Sequence, residues 1–451
     1  MEIWAFIWIF LFISLFSTGG FGILNLFNIF CHKGAGEHFS ADIQRKIQHM
    51  YIMVPALNEV NEIEVTVNRL LRAMSPLPCK TTLIVINDGS DDGTDEKLKQ
   101  FEDNQRVHIL TRKLPHAREG KGKALNDGLD WITTQTHDFN HTVVGVIDSD
   151  SEPSFKILLN IFDGFTHSNY DLLQTGIAIS NIHNFLTLMQ EFEFGVPNLL
   201  QQIIRMGWGS AIASGNGQFM TLKMAIQIKW NNSLLDDLEF SINGLLHGFR
   251  GGFLANTFMP QEGVNSYRPL VKQRVRWCQG GMQCLRRYGK CVFLSNKIPP
   301  CLKTDLIIFM ILPFFSMLFT FSSFLATIVM AYHLLVFPQK TIMAVGAVLL
   351  FGMLITYLMI LVANRFMRMS TYHFSRRDIV VMIAGNLLYS WMLTPVAFIS
   401  FYRLMTNRCD WTKTAHESKT AQKSFHRSMP KTTVLGKSYE MTSTEDGAVR
   451  R

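Results

Sequence analysis

Cysteine is scarce and unpatterned in this 451-residue chain. The seven cysteines (Cys31, Cys79, Cys278, Cys284, Cys291, Cys301 and Cys409) form no CxxC pair and no Cys/His spacing suited to zinc. Neither a zinc site nor a disulfide framework is indicated, and a reducing cytosol suits the middle of the chain. A basic leader is also missing. The chain opens Met1-Glu2, whereas a secretory signal peptide opens on positive charge and closes at a small-residue cleavage site. The apolar run behind it therefore reads as an uncleaved span. No separate regulatory domain is visible, and the polar tail is too short to fold alone. The hydrophobic share, 48%, is ordinary for a globular protein, but long apolar runs are absent from the middle and piled at the two ends. A net charge of +8 points to anionic partners such as nucleic acid, lipid headgroups or a phosphorylated substrate. With membrane spans present, its plain source is the positive-inside bias of loops, and nucleic acid is not an expected partner.

Ile3 to Phe30 is almost wholly apolar and exceeds the roughly 20 residues needed to cross a bilayer. His32, Lys33, Arg45 and Lys46 follow it, which places the middle region in the cytosol. Three further apolar segments run from about Leu306 to Val336, Ile342 to Ala363 and Ile379 to Phe401. The connection with Arg365, Arg368, Arg376 and Arg377 reads as cytosolic, and so does the basic tail after Tyr402. Both cannot hold if the third segment is one simple crossing. Either the stretch from Cys301 to Val336, broken by Pro313, contains an in-plane or re-entrant piece, or the tail lies outside. The chain divides into an N-terminal transmembrane helix (1–31), a cytosolic α/β domain (47–290), interfacial and transmembrane helices (291–402) and a basic tail (403–451) that reads as disordered.

Within the middle, apolar strands alternate with helical patterns. Tyr51 to Pro55 is a short strand, and Asn61 to Met74 has helical periodicity. Thr82 to Ile86 is a second strand ending in Asn87-Asp88-Gly89-Ser90. Helices follow from about Thr94 to Phe101 and from about Lys123 to Thr134. Strands follow near Val107 to Leu110 and from Thr142 to Ile147, the latter ending in Asp148-Ser149-Asp150. This alternation predicts βαβ units and a mainly parallel sheet. Ligands sit at the carboxyl ends of such strands, where Asp88, Asp148 and Asp150 stand.

Each motif has a bland reading beside a chemical one. Asp88 after a buried strand can bond a nucleobase or ribose, or serve only in a turn. Asp148 and Asp150 can share Mg²⁺ or Mn²⁺, whose shell substrate phosphates complete; DxD is also common in loops. Asp236-Asp237 can supply a general base for an acceptor hydroxyl or an acidic first helical turn. Lys121-Gly-Lys-Ala offers cations to a phosphate, or is a solvated loop. In Gln273-x-x-Arg276-Trp277, arginine can clamp a diphosphate oxygen and tryptophan can carry a sugar ring, or both can anchor an interfacial helix.

Taken in order, VPALNE (Val54 to Glu59), NDGS, GKGKALN, DSD, an Asp-Asp pair and KQRVRW resemble the family 2 processive glycosyltransferases, the membrane synthases of cellulose, hyaluronan and poly-N-acetylglucosamine. The resemblance covers roughly Tyr51 to Arg287. The RVRWxQGG continuation, Arg274 to Gly281, is similar to that of the poly-β-1,6-N-acetylglucosamine synthase type. It implies a GT-A-type nucleotide-sugar-binding domain, a Rossmann-like mixed sheet, with transmembrane helices at both ends. It implies that Asp88 contacts uridine, with Pro55 and Glu59 near the nucleotide and Lys123 approaching the diphosphate. Asp148 would hold nucleotide and Asp150 metal, Mg²⁺ or Mn²⁺. Asp237 would be the catalytic base, and Gln273, Arg276, Trp277 and Asp236 would shape the acceptor and diphosphate site. The segment from Ser214 to Phe219 matches a loop lining the acceptor terminus. Asp236 stands where the family usually has glutamate, one methylene shorter, which bears on acceptor geometry. The implied activity is inverting polymerisation of a UDP-activated hexose, N-acetylglucosamine or glucose, into a β-linked exopolysaccharide, with export at the plasma membrane and the catalytic domain cytosolic. The implied partners are a UDP-sugar, a growing polysaccharide, membrane lipids and a small accessory subunit. Single-sugar transfer to a membrane lipid and an inactive membrane scaffold are the competing readings.

Overall fold

A computed structural model describes residues 40, 42–231, 233–367 and 374–408. The expected N-terminal span and most of the basic tail lie outside them. The centre is a seven-stranded sheet of order β3-β2-β1-β4-β6-β5-β7. Its strands are β1 (His49–Ala56), β2 (Lys80–Asn87), β3 (Val107–Thr111), β4 (Thr142–Val146), β5 (Leu172–Ile179), β6 (Gln218–Thr221) and β7 (Gly251–Gln261). Only β6 runs against the rest, pairing antiparallel with β4 and β5. The expected mainly parallel sheet is therefore present.

A parallel sheet is buried on both faces, so its strands must be apolar throughout. Along β1, Met50, Ile52 and Val54 point into one core with α1 (Ile63–Met74) and α4 (Phe155–Thr166). Tyr51 and Met53 point into the other, with α3 (Lys121–Gln135) and α7 (Leu222–Ile228). This period-two division is the strand's own geometry. The short α2 (Thr94–Lys99) completes the first half. Beyond β5, α5 (Phe185–Glu193), a π-turn (Phe194–Asn198) and α6 (Leu199–Gly207) form an apolar platform. After β6 and α7 come α8 (Asp236–His247) and, following β7, the long α9 (Tyr267–Leu294).

Four helices complete the described chain: α10 (Pro300–Val336), α11 (Pro338–Met367), α12 (Arg376–Met392) and α13 (Thr394–Met405). Three stretches, Pro300–Val336, Pro338–Arg365 and Arg376–Met405, are long and apolar enough to cross a membrane. Pro313 does not break α10, which continues past it. The third expected segment does break. Pro395 lies in the first turn of α13, where the missing N–H and the ring's clash with the preceding turn stop one helix and start another. The base of α10 is anchored: Arg205 Nε bonds Asp305 Oδ2 at 2.6 Å, and Gln201 bonds Asp305 Oδ1.

Candidate active site

Register delivers the first wall. Ala56 pairs with Asn87 and Met53 with Val146, so Leu57, Asp88 and Asp148 leave the sheet along one edge. Asp88 is buried. Its Oδ1 accepts from the Arg112 guanidinium and from Arg118 N–H at 3.0 Å. Arg112 is itself held by Asp127 Oδ2 at 2.6 Å. The buried charge is therefore paired and fixed, as burial demands.

At the end of β4, Asp148 N–H donates to Asn216 Oδ1 at 3.2 Å, and Asp148 Oδ1 accepts from Lys121 Nζ at 2.6 Å. Lys123 does not reach the cleft; it pairs with Glu119 at 2.9 Å. The helix starts at Lys121, two residues before the predicted boundary, and two residues are about 200° apart around a helix. Lys121 thus faces the carboxylates and Lys123 faces away. Burial works to lower the Lys121 ammonium, but Asp148 and Asp236 outweigh it and raise it. Asp150 is pushed up to about 8, first by burial and then by Asp148, Glu59 and Glu262. Such crowding of oxygen ligands suits a hard divalent cation. Among the described residues, no three His, Cys, Asp or Glu side chains form a metal cage; Asp148 and Asp150 are the side chains that would hold a divalent cation here, where it would neutralise a bound phosphate.

Asp236 and Asp237 open α8. Asp237 Oδ1 accepts from Leu238 N–H at 2.8 Å. Burial first, then Asp236, pushes Asp237 up to about 7, while Leu238 N–H, Lys121 and Arg276 pull the other way. Gly215, at φ +87°, passes so close that a Cβ there would lie 3.3 Å from Asp237 Oδ2. Only glycine combines that backbone with that approach.

The opposite wall is α9. Gln273, Arg276 and Trp277 line the cleft. Arg274 lies 4.2 Å from the Trp277 ring centroid and bonds Glu193 Oε2 at 2.6 Å, and Phe194 meets Trp277 edge-on at 6.3 Å. The indole is held from behind and presents its remaining surface to the cleft. Arg276 Nε is buried without a hydrogen-bond partner among the described residues, a state that asks for an acceptor. Gly280 explains the approach of α9: a Cβ there would lie 2.5 Å from Leu235 Cβ, just before Asp236.

The resulting cleft of about 210 Å³ gathers Pro55, Glu59, Asp88, Asp148, Asp150, Asp236, Asp237, Gln273, Arg276 and Trp277. Of the residues expected at the site, Lys123 alone does not line this cleft, whereas Lys121 does. Sequence reasoning missed Glu262, delivered after β7, and Asn216 as the bracket of Asp148. It also missed Arg112, Arg274 and Gly280 as supports. Arg274 stood in the motif itself, whereas Arg112 and Glu262 carry no local signal.

The profile of the family "Glycosyl transferase family 2" matches residues 51–226, and that of "Glycosyl transferase family group 2" matches residues 143–402, more than half of the chain. The chain belongs to the family 2 glycosyltransferases. This glycosyltransferase is 28% identical over 247 residues to a beta-monoglucosyldiacylglycerol synthase of Synechocystis, a match covering 53% of this chain and 49% of that one. It is 24% identical over 260 residues to a poly-beta-1,6-N-acetyl-D-glucosamine synthase of Staphylococcus aureus, covering 56% and 60%. It therefore spans about half to three fifths of these relatives' length. A mannosyltransferase from Pyrobaculum calidifontis, solved with GDP-Man and Mn²⁺, superposes with a TM-score of 0.52 at 14% identity, covering 86% of this chain and 99% of that one. At that identity the likeness shows the fold, a GT-A-like mixed sheet.

Proposed function

We propose that this glycosyltransferase moves a hexose, glucose or N-acetylglucosamine, from a UDP-sugar onto a growing β-linked polysaccharide with inversion. The observation that carries this reading is the meeting of Gln273, Arg276 and Trp277 with Asp237 and the strand-end carboxylates in one cleft. Asp237 takes the proton of the acceptor hydroxyl. That oxygen forms a bond to the anomeric carbon as the bond to the diphosphate breaks, and the electron pair leaves with UDP. Lys121 and Arg276 face the departing charge, and the buried Nε of Arg276 gains its acceptor there. Asp88 and Pro55 hold the nucleoside, while Trp277 seats the acceptor sugar. A divalent cation on Asp148 and Asp150 would supply charge neutralisation to the leaving diphosphate.

A second acceptor, a membrane lipid, is favoured by a specific observation: the relatives include glucosyldiacylglycerol synthases. One assay separates the two. Membranes receive labelled UDP-glucose, UDP-N-acetylglucosamine and UDP-glucuronate, singly and in pairs, with Mg²⁺ or Mn²⁺, and the product is sized. A high-mass, glycosidase-sensitive polymer supports the synthase and names its sugar. A short, solvent-extractable product replaces it with the lipid transferase.

A further inference from the structure

Asp148 and Asp150 stand on one tight turn. Ser151 N–H donates to the Asp148 carbonyl at 3.1 Å, which closes a β-turn with Ser149 and Asp150 at its corners. That bond fixes the shape of the turn, and its place in the cleft depends on what grips its ends. Asn216 grips both. Its Oδ1 accepts from Asp148 N–H at 3.2 Å, and its Nδ2 donates to Ser151 Oγ at 2.7 Å and to Gln261 Oε1, at the end of β7, at 2.8 Å. Both amide hydrogens are thus used and the amide oxygen faces a donor. Asn216 and Ser151 are buried. The main chain of Asn216 is held as firmly. Its carbonyl accepts from Gln174 Nε2 at 2.8 Å, and Gln174 Oε1 accepts from Ser214 N–H at 2.8 Å. Gln174 is itself completely buried in β5.

The same short segment reaches the base. Ala213 N–H donates to Ser241 Oγ at 2.8 Å, and Ser241 Oγ donates to the Asp237 carbonyl at 2.9 Å. Gly215 then passes beside the Asp237 carboxylate. A buried asparagine bonded on every side is by itself an ordinary piece of core. What sets this one apart is where its bonds end. They fall on both ends of the carboxylate turn, in the wall of the cleft, and they start from a segment bonded to the helix that carries the base.

We propose that Asn216 is a positioning residue for the transfer: it holds the Asp148–Ser151 turn at a set distance from Asp237, the separation that an in-line displacement needs. The proposal rests on the reading of Asp148 and Asp150 as the cation's carboxylates and of Asp237 as the base. Truncating Asn216 leaves those three side chains intact and frees the turn to shift. Residues that orient metal ligands contribute about 10–100-fold in metal affinity or activity, and a displacement of about 1 Å can cost about 10²-fold in rate.

The test follows Mn²⁺ binding directly, by loss of the free-ion EPR signal on the detergent-solubilised full chain with saturating UDP, beside transfer kinetics and Tm. Asn216→Ala should weaken Mn²⁺ binding about 10–100-fold and lower kcat even at saturating Mn²⁺. Ser151→Ala removes the grip on one end of the turn only, and should weaken Mn²⁺ by a smaller factor. The double variant should be no worse than Asn216→Ala, because both changes remove the same bond. An asparagine with a merely structural role would lower Tm and leave the Mn²⁺ affinity of the folded protein unchanged; that result overturns the proposal, and so do additive losses in the double variant. If Asn216→Ala does not fold, Ser151→Ala decides alone, and a Mn²⁺ affinity equal to the parent's overturns the proposal. Asp150→Asn separates the two layers of the argument. If it binds Mn²⁺ as the parent does, the cation's carboxylates are wrongly assigned and the proposal falls with them. If it loses Mn²⁺ while Asn216→Ala keeps it, the carboxylates stand and only the positioning role falls.

Discussion

Asp237→Asn tests the chemistry most directly. Asparagine keeps the shape of the side chain and can keep the hydrogen bond from Leu238 N–H, 2.8 Å in the parent, but it cannot take a proton. A positioned general base contributes about 10²–10⁴-fold, or about 3–5 kcal/mol of barrier at 1.36 kcal/mol per decade. Transfer should fall by that factor while UDP affinity stays within about threefold, since the change lies on the acceptor side of the diphosphate. The parent's pH profile carries a second signature. Burial and Asp236 hold this carboxyl up at about 7, and a base works ionised. The rate at saturating donor should therefore drop close to tenfold per pH unit below about 7 and level off above it. A carboxylate at its ordinary value of about 3.9 would leave the profile flat to about pH 5. The assay is labelled-sugar transfer from pH 5 to 9, with UDP binding measured by calorimetry. An Asn variant within tenfold of the parent, or a parent profile flat from pH 5 to 8, would refute the assignment.

Three further outcomes are expected. Lys121→Ala should lower transfer by about 10²-fold, the scale of losing one charge-stabilising donor, whereas Lys123→Ala should stay within threefold; equal losses would remove the distinction drawn from the start of α3. Gly280→Ala should overpack α9 against Leu235 at a cost of about 1–3 kcal/mol, and should raise the acceptor KM more than the donor KM; unchanged kinetics would mean that the two segments give way. The Asp150 carboxyl, held up at about 8 by burial and by Asp148, Glu59 and Glu262, binds an extra proton in the folded state. The stability it contributes is therefore full below about pH 4 and lost as pH rises to about 8. Mg²⁺ or Mn²⁺ should accordingly raise Tm at pH 8 in the parent and not in Asp150→Asn, and an equal shift in both would exclude Asp150 as a ligand.

Much of the first half of the sheet was legible because its signals are local. The runs MYIMVP, TLIVI and TVVGVI read as buried strands between turn signals; the first ends on Pro55, and the other two lead into Asp88 and Asp148, all of which line the cleft. β5, β6 and β7 were not read. β6 has four residues, too few to show a period, and β7 holds Gly251, Gly252 and Pro260, which read as a loop. The sequence offers both Lys121 and Lys123 as cations, but only a helix start fixes which of the two turns inward, and Gly120, which caps α3, marks no decisive boundary. Glu262 reaches the site through strand pairings distant in sequence, and Asn216, which stands in the Ser214 to Phe219 segment, shows its bond to Asp148 N–H only once β4 and β6 pair.

The acceptor wall was legible as a motif but not as a mechanical part. α9 is gripped on three sides. Leu235 presses on Gly280 from the Asp236-Asp237 side, Glu193 of the apolar platform holds Arg274, and Arg403 and the Arg408 carbonyl hold Gln279 from α13. Trp277 and Arg276 lie inside that grip. A shift of α13 therefore reaches the indole through Gln279, two residues away, whereas Asp88 and Asp148 are fastened to the sheet by Arg112, Lys121 and Asn216. On the proposed reading, the donor half of the cleft is built on strand ends, and the acceptor half on helices that continue into the apolar helices. If that reading holds, packing of the apolar helices can adjust the half of the site that meets the acceptor, and not the half that meets the nucleotide.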